Sequence, residues 1–218
     1  VSNLAVSDDF DAASLPLAWQ WNHNPDNEHW SLTERPGFLR ISTARLSPPP
    51  NITTPPLTPI YYARNTLTQR SFEPAFAAPN AEASAASIAL EFDGMKDGDV
   101  AGFAALQHKY GFAGIAVENG QKFIVMRCAP NTDGVETERA KVPFTGAGSR
   151  VYFKIACEFP ADRASFYYST DAATWQSIGQ PLSMSIELKH DTGYRFALFY
   201  YSTQTAGGHA DFDYFHLE

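Results

Sequence analysis

The sequence predicts an all-β fold, a sandwich of two antiparallel sheets within one domain. Short runs of strand-forming residues are separated by turn residues along the whole chain, and no helical period persists for three turns. Aromatic residues make up 14% of the chain and charged residues 18%, a balance that favours strands over exposed helices. The length of 218 residues fits a single large β domain.

The first elements follow from turn chemistry and alternation. Residues 1–7 are expected to be a linker remnant, and residues 8–218 to form the single sandwich domain. Residues 30–34 alternate between polar and apolar, and residues 38–43 do the same in return. Between them residues 35–37 (RPG) have proline and glycine in the order that a tight turn requires, so this region predicts a hairpin.

The middle of the chain alternates between loops and strands. Residues 46–59 hold six prolines, which excludes a helix or a central strand and predicts an extended surface loop. Residues 65–70 alternate again and predict a strand. Residues 71–86 are rich in alanine and proline and predict another loop. The apolar run at 86–92 then ends in a Gly- and Asp-rich turn at 93–99.

The second half of the chain is a series of predicted strands. Asn119-Gly120 is a strong signal for a tight hairpin turn, because both residues tolerate positive φ. Further strands are expected over residues 100–108, 112–118, 122–127, 151–159, 164–169, 175–178, 195–202 and 210–217.

Composition narrows the function. Sixteen Lys and Arg against 24 Asp and Glu give a formal net charge of −8. An acidic domain lacks the basic footprint of a nucleic-acid binder, and acidic polysaccharides are not expected as the main ligand. No stretch approaches the roughly 18 apolar residues of a membrane span. Neutral glycans are still compatible with this composition as ligands. We expect a secreted protein whose signal peptide has been removed or lay ahead of a longer parent chain.

Residues 19–30 (WQWNHNPDNEHW) combine three indoles with amide, imidazole and carboxylate side chains. Indoles offer flat apolar faces, while amides and carboxylates make directional hydrogen bonds. A sugar ring needs both, because it has apolar C–H faces and a rim of hydroxyls. Trp21, Asn22 and His23 are therefore candidates for carbohydrate contact. The alternative is that the indoles are core anchors with a polar turn between them.

Acidic residues at both ends suggest a metal site. Asp9 and Asp11 lie near the start, and Asp211 and Asp213 lie in the last predicted strand. If the termini pair side by side, these carboxylates meet and repel one another unless a cation lies between them. Oxygen ligands of this kind suit a structural Ca²⁺. The alternative is that they are solvated acids kept apart.

Catalytic motifs are weak. Glycoside hydrolysis needs two facing carboxylates, and the nearest fragment, Glu91-Phe92-Asp93, lacks a third acid. No G-x-S-x-G occurs, and the histidines fit no zinc spacing. We therefore expect no catalytic residues. Cys128 and Cys157 each end a predicted strand, and the sequence leaves open whether they form a disulfide or are two buried thiols.

Six segments, taken together, resemble one known family. They are LPLAWQWNHNPDNEHWSLTERPGFLRI, ARNTLTQR, MKDGDVAGFAALQ, FYYSTDAATW, GYRFALFYYST and DFDYFHLE. In this order the chain resembles the C-terminal β-sandwich domain of family 43 β-xylosidases, also classed as carbohydrate-binding module family 91. The resemblance implies a concanavalin A-like jelly roll, a structural Ca²⁺ near the paired termini and xylan or xylo-oligosaccharides as ligand. It also implies a family 43 catalytic propeller in the parent chain.

Three functions then follow as hypotheses. The first is a non-catalytic xylan-binding module, and the second is a structural accessory domain that packs on the catalytic propeller and shapes its active-site rim without binding free xylan. The third is a free-standing hydrolase or lyase that would depend on Glu91. The candidate ligand contacts for the first hypothesis are Trp21, Asn22, His23, Gln69, Arg70, Asp97, Asp99, Gln107, Tyr194 and Tyr201.

Overall fold

The computed structural model describes residues 6–42, 59–69, 83–130, 134–185 and 193–218. Most of these residues lie in strands. In chain order they are β1 (Trp19–Trp21), β2 (Trp30–Ser31), β3 (Leu39–Ser42), β4 (Leu67–Gln69), β5 (Ala83–Glu91), β6 (Asp99–Leu106), β7 (Tyr110–Glu118), β8 (Gln121–Ala129), β9 (Thr137–Pro143), β10 (Arg150–Glu158), β11 (Arg163–Ser169), β12 (Gln176–Ser177), β13 (Leu182–Ser183), β14 (Arg195–Ser202) and β15 (His209–Leu217). A short helix, α1 (Pro59–Tyr62), precedes β4, and a 3₁₀ turn (Phe159–Ala161) follows β10. None of the described helices has the length and hydropathy to span a membrane.

The strands form two antiparallel sheets, as the sequence predicts. The front sheet has the order β1-β4-β14-β6-β7-β8-β9. The back sheet has the order β12-β11-β10-β5-β15-β3-β2, with β13 paired to β11. Six of the twelve neighbouring pairs in these two orders join non-consecutive strands, such as β14 with β6 and β15 with β3, which is the crossover pattern of a sandwich with long return connections.

The main core lies between the two sheets. Alternate residues of β10 point into it, namely Val151, Phe153, Ile155 and Cys157. Aromatic rings join the sheets: Phe103 and Phe196 of the front sheet stack with centroids 5.4 Å apart, and Phe215 of the back sheet meets Phe103 edge-on at 6.0 Å. Burial of these rings is the main source of stability of the sandwich.

A second apolar cluster covers the outer face of the front sheet. Every residue of β6 is buried, so this strand is enclosed on both faces. On the outer face Phe112 contacts Phe199 edge-on at 4.6 Å, and Ile60 of α1 and Ala63, which follows α1, belong to the same cluster. The outer face of the front sheet is therefore packed, and it is not an open groove along the strands.

Local signals are confirmed where they are strongest. Asn119 and Gly120 have φ of 52° and 75°, which closes the predicted hairpin between β7 and β8. The hairpin predicted over 30–43 is confirmed by the pairing of β2 with β3. Some details differ: β5 begins at Ala83, inside a predicted loop, and β1, β9 and β13 lie outside the predicted strands. The proline-rich stretch up to residue 58, and Arg70, lie outside the described residues.

The two ends of the domain lie side by side, as expected. The backbone N–H of Asp8 donates to the carbonyl of Phe215, and the N–H of Phe215 donates to the carbonyl of Asp8, both at 2.8 Å. The cysteines lie in different sheets and are not joined by a disulfide, with Cys157 buried and Cys128 half-buried. The disulfide alternative is therefore wrong.

Candidate functional site

Asp211 on β15 is held by two arginines. It exposes only 1% of its side chain. Arg40 binds it in a bidentate manner, with Nε 2.7 Å from Oδ1 and Nη2 2.8 Å from Oδ2, and Arg35 adds a bond from Nη1 at 2.9 Å. Burial on its own would raise the pKa of Asp211, but the hydrogen bonds from Arg40 and Arg35 outweigh it and lower that pKa.

The other three terminal acids are separate from Asp211. Asp213 is paired with Arg150, and Asp9 lies 2.6 Å from Nε2 of His216. Asp11 is exposed. Pairing of the termini therefore does not bring these acids together, because Asp9, Asp211 and Asp213 have different partners along β15.

The predicted grouping of these four acids around Ca²⁺ is therefore wrong. Within the described ranges no three His, Cys, Asp or Glu side chains come together in a way that could hold a metal ion. Arginine guanidinium groups supply the positive charge that the sequence argument assigned to a metal. Calcium binding itself stays a prediction, and these carboxylates do not fit it.

Glu91 belongs to the same ion-pair network. Its carboxylate lies 2.6 Å from Nη1 of Arg35 and 2.9 Å from Nη1 of Arg150. Asp93 is exposed in the turn that follows. A carboxylate held between two guanidiniums is an ion pair that joins neighbouring strands, and this geometry does not support the hydrolase hypothesis for Glu91 and Asp93.

The tryptophans of the 19–30 stretch lie on the core side. Trp19 is 5% exposed, and its indole N–H donates to Oδ2 of Asp8 at 2.7 Å. Trp21 packs against Trp30 with centroids 5.0 Å apart, and both pack on the main core. The indole N–H of Trp30 donates to Oδ1 of Asn27 at 3.0 Å. The alternative of core anchors therefore describes these indoles, and Trp21 is not an exposed stacking platform.

Several other predicted ligand contacts are enclosed in the fold. Asp99 accepts bonds from the Tyr200 hydroxyl and, at 2.6 Å, from the backbone N–H of Lys96. Asp97 accepts the backbone N–H of Gly120 at 2.7 Å, which ties two turns together. A polysaccharide at the surface cannot reach a side chain that is at most 5% exposed, so the prediction is corrected for this set. Its members are Gln69, Asp99, Gln107, Tyr194 and Tyr201.

Two predicted contacts, Asn22 and His23, do meet other polar groups on the outer face of the front sheet. The guanidinium of Arg195 donates from Nη2 to Oδ1 of Asn22 at 3.1 Å and from Nη1 to Oγ1 of Thr68 at 3.2 Å. Nε2 of His23 lies 2.6 Å from the carbonyl oxygen of Tyr61, and the two rings meet edge-on at 5.6 Å. We call these five residues the Arg195 cluster.

Short-range hydrogen bonds hold the Arg195 cluster in place. The N–H of Asn22 donates to the carbonyl of Thr66 at 2.9 Å, which extends the pairing of β1 with β4 by one residue. The Thr66 hydroxyl donates to the carbonyl of Ile60 at 3.0 Å and fixes α1. The Asn65 side chain exchanges two bonds with the backbone of Asp26, at 2.9 and 3.0 Å. Asn65 therefore anchors the loop after His23.

Arg195 differs electrostatically from other half-buried arginines. Burial lowers its pKa, and the nearby Tyr61 opposes this only in part. Hydrogen bonding to Asp211, by contrast, raises the pKa of Arg40. Arg195 stays charged at neutral pH, because an arginine pKa lies far above 7 even when lowered. Among the residues that the structure describes, the positive charge of this cluster therefore has incomplete compensation.

Two donors of the cluster have no acceptor. Nδ2 of Asn22 and Nε of Arg195 are buried atoms without a hydrogen-bond partner. His23 is exposed and Tyr61 is half-exposed, so aromatic faces border these donors. A ligand that offers oxygen acceptors and apolar C–H faces would satisfy both features. The sequence argument missed Tyr61 and Arg195. Tyr61 lies outside the segments that resemble the family, and Arg195 lies in one of them, GYRFALFYYST, from which only Tyr194 and Tyr201 were chosen.

A second polar cluster on the outer face is closed. The hydroxyls of Tyr110 and Tyr201 donate to the two carboxylate oxygens of Glu136 at 2.7 and 3.0 Å. Arg127 lies 3.8 Å away. Burial raises the pKa of Glu136 and outweighs the opposing effects of Tyr110, Arg127 and Tyr201. Glu136 is only 6% exposed and both of its oxygens already accept hydrogen bonds, so its carboxylate is not available to a ligand.

Exposed apolar surface is sparse in the part of the chain that the structure describes. Its exposed large hydrophobic residues are Val6, Leu17 and Val135, which expose 37%, 85% and 56% of their surface. Three such residues are normal for a soluble surface and do not amount to a docking patch.

Comparison with known proteins assigns nearly the whole chain to one family. Residues 7–218 match the family model of the beta xylosidase C-terminal concanavalin A-like domain. A beta-xylosidase from Formosa agariphila is 28% identical over 223 residues, an alignment that covers 96% of this chain and 34% of the relative.

Solved structures agree with this match. A bifunctional GH43-CE protein from Bacteroides eggerthii is 41% identical, with a TM-score of 0.84, over 99% of this chain and 26% of that one. The GH43 protein BlXynB from Bacillus licheniformis is 25% identical, with a TM-score of 0.76, over 97% of this chain and 38% of that one. The chain thus spans between about a quarter and two fifths of the length of these proteins.

Proposed function

The chain belongs to the family of C-terminal concanavalin A-like domains of beta-xylosidases, and from this premise we propose that it binds xylan and xylo-oligosaccharides without cleaving them. Such domains are usually appended to a family 43 catalytic domain. We place the binding site at the Arg195 cluster, where Asn22 and His23 of the motif-bearing stretch meet Tyr61 and Arg195.

One observation carries this proposal: buried donors without acceptors border exposed aromatic rings. Nδ2 of Asn22 and Nε of Arg195 are both unsatisfied. Both atoms are shielded from solvent but belong to half-buried side chains, so a ligand oxygen reaches them only when those side chains turn outward on binding. Acceptance from such a donor then relieves a penalty of about 1–3 kcal/mol, which adds to the affinity. The rings of His23 and Tyr61 offer faces to the C–H groups of a pentose.

The expected affinity is modest. Sugar hydroxyls exchange hydrogen bonds with water for hydrogen bonds with protein, and the cluster is compact compared with a chain of several xylose units. We therefore expect a Kd of roughly micromolar to millimolar. Since a polysaccharide is too large to enter a cell intact, secretion of the parent protein is part of the same proposal.

Titration calorimetry with xylohexaose tests the proposal. We expect measurable binding by the native chain and weaker binding by His23→Ala and Tyr61→Ala. Tyr167→Ala is the matched control, because Tyr167 is a half-buried tyrosine of the back sheet. Absence of heat at millimolar ligand, or an equal loss in the Tyr167 variant, would contradict the proposed site.

A second function, support of a catalytic domain in the same polypeptide, is favoured by one observation. This chain aligns with only 26% to 38% of the length of the solved proteins described above, which carry the GH43 name. In this case the polar Arg195 cluster would face the neighbouring domain, and isolated chain would not bind xylohexaose. The sparse exposed apolar surface argues against an apolar docking face within the described residues.

A further inference from the structure

Arg195 uses few of its hydrogen-bond donors. A guanidinium has five N–H groups in a planar fork. Two of them reach neutral acceptors, Oδ1 of Asn22 and Oγ1 of Thr68. The N–H at Nε is buried and meets no acceptor. Beside it the Nδ2 amide of Asn22 also donates to nothing. The unmet groups are all donors, so a complementary ligand group must be rich in acceptors.

The other half-buried arginines of the described ranges all have carboxylate partners. Arg40 binds Asp211 at 2.7 Å. The other three arginines each have a carboxylate within 3.1 Å. Their partners are Glu91 for Arg35, Glu138 for Arg127 and Glu91 for Arg150. For Arg195 the same part of the chain supplies no ion pair. In a protein of net charge −8, a half-buried cation with no carboxylate partner among the described residues is unusual.

We propose that the Arg195 cluster recognises xylan chains that carry uronic acid side groups, with the guanidinium of Arg195 binding the uronate carboxylate. This inference rests on the proposed function and adds a preference among xylans to it. A carboxylate is an acceptor-only group with two oxygens, and Nη1 and Nη2 of Arg195 each have a second N–H, beyond those that bind Thr68 and Asn22, to donate to it. The same site would receive the neutral backbone of the chain on His23 and Tyr61.

Burial strengthens such a contact. An ion pair at a surface in water contributes little, whereas a charge that is already shielded from solvent is poorly hydrated and gains more from an anion. Asn22 would contribute its free amide N–H to the same carboxylate or to a neighbouring hydroxyl. The overall negative charge of the domain opposes an acidic ligand at long range, so the preference must arise at short range, from Arg195 itself.

Calorimetry with two ligands on the native chain tests the inference. The first ligand is xylohexaose, and the second is a xylo-oligosaccharide of similar length with one glucuronic acid branch. At low ionic strength we expect the branched ligand to bind with a Kd about tenfold lower, the difference expected from one charge-assisted contact. At about 0.5 M salt this ratio should shrink, while xylohexaose binding should change little.

Variants assign the effect to the residue. Arg195→Gln should bring the two Kd values together, and Arg195→Lys should retain part of the preference. Arg163→Gln is the matched control, because Arg163 is an exposed arginine of the back sheet and pairs with Glu158 at 2.6 Å. It should leave the ratio unchanged. If Arg195→Gln does not fold, as judged by its melting curve, the salt dependence of the native chain decides the question.

The outcomes separate this inference from the proposed function. If both ligands bind with equal affinity, or the preference is insensitive to salt, the uronate preference is wrong and xylan binding stands. If neither ligand binds, both proposals are overturned.

Discussion

Arg40 and Asp211 form a bidentate ion pair between β3 and β15, with Nε 2.7 Å from Oδ1 and Nη2 2.8 Å from Oδ2. The two residues are opposite one another in the antiparallel register. The positive charge beside Asp211 therefore comes from an arginine of the protein itself. This explains why the cluster of carboxylates predicted from the sequence does not form a metal site.

Asp211→Asn should destabilise the domain. The substitution leaves Arg40 and Arg35 without the carboxylate that they share, and removal of one partner of a buried pair is strongly unfavourable. We expect the free energy of unfolding at neutral pH to fall by about 3 kcal/mol, measured by urea denaturation. Asp93→Asn, an exposed acid nearby, is the control and should change it little. Equal stability of the two variants would contradict a structural role for the pair.

The same pair predicts a pH dependence. Burial acts to raise the pKa of Asp211, but the hydrogen bonds from Arg40 and Arg35 hold that pKa below its ordinary value. A lowered carboxyl pKa stabilises the folded state at every pH above the unfolded value of about 3.9, and this contribution is lost as the pH falls through the folded-state pKa. The stability difference between wild type and Asp211→Asn should therefore be constant above about pH 5 and shrink below pH 4. A difference that stays constant down to pH 2 would mean that the charge of Asp211 is irrelevant.

Asp213→Asn separates an ion-pair role from a calcium role. Asp213 is paired with Arg150, so the substitution should lower the melting temperature by the same amount in EDTA and in excess Ca²⁺. The physical reason is that the lost partner is a guanidinium, whose charge does not depend on metal. If wild type is stabilised by Ca²⁺ and the variant is not, Asp213 is a calcium ligand and the ion-pair description is incomplete.

Trp21→Ala should affect stability and leave binding intact. Trp21 contacts Trp30 and the core between the sheets, so its removal leaves a partly buried gap. We expect a loss of about 2 kcal/mol in the free energy of unfolding, below the range for a fully buried tryptophan. Affinity electrophoresis on xylan at low temperature, where the variant is folded, should give the same retardation as wild type. Reduced retardation of the folded variant would return Trp21 to the binding site.

Glu136→Gln should become more stable than wild type as the pH rises. Burial raises the pKa of Glu136 in spite of Tyr110, Arg127 and Tyr201, so the folded state holds the proton more tightly than the unfolded chain. This favours folding most below the ordinary glutamate pKa of about 4.3 and is lost as the pH rises to the folded-state value. Glutamine has no charge to bury. Urea denaturation from about pH 4 to pH 8 should show that the free energy of unfolding of the variant rises relative to that of wild type. A difference between the two that does not change with pH would contradict the argument.

Local sequence predicts much of this fold, and its failures have physical causes. Asn119-Gly120 identifies a hairpin because few other residue pairs accept two positive φ values. The start of β5 is missed because its alanines are typical of loops or helices. In the structure the pairing with β10 continues through this start, with Ser84 opposite Cys157 and Ala85 opposite Ala156, so tertiary pairing overrides the weak strand preference of alanine. β9 is missed because it is a largely exposed edge strand with weak alternation.

The candidate site is less predictable than the fold. Asn22 and His23 are found from the sequence because they follow a Trp-rich motif. Tyr61 and Arg195 are not, since one lies in a short helix and the other opens an ordinary strand. Arg195 reaches Asn22 from 173 positions away along the chain. No pattern of period two or 3.6 encodes a contact of that range.

By itself the sequence determined the all-β class, the tight turns, the acidic surface and the family, because each follows from local conformational preference, composition or motif order. The tertiary structure decided which partner each polar group receives. Asp211 and Arg40 are 171 positions apart, and Trp21 was equally compatible with either face of its strand. Such choices depend on strand register and on which face is enclosed, and both are set only when the two sheets pack together.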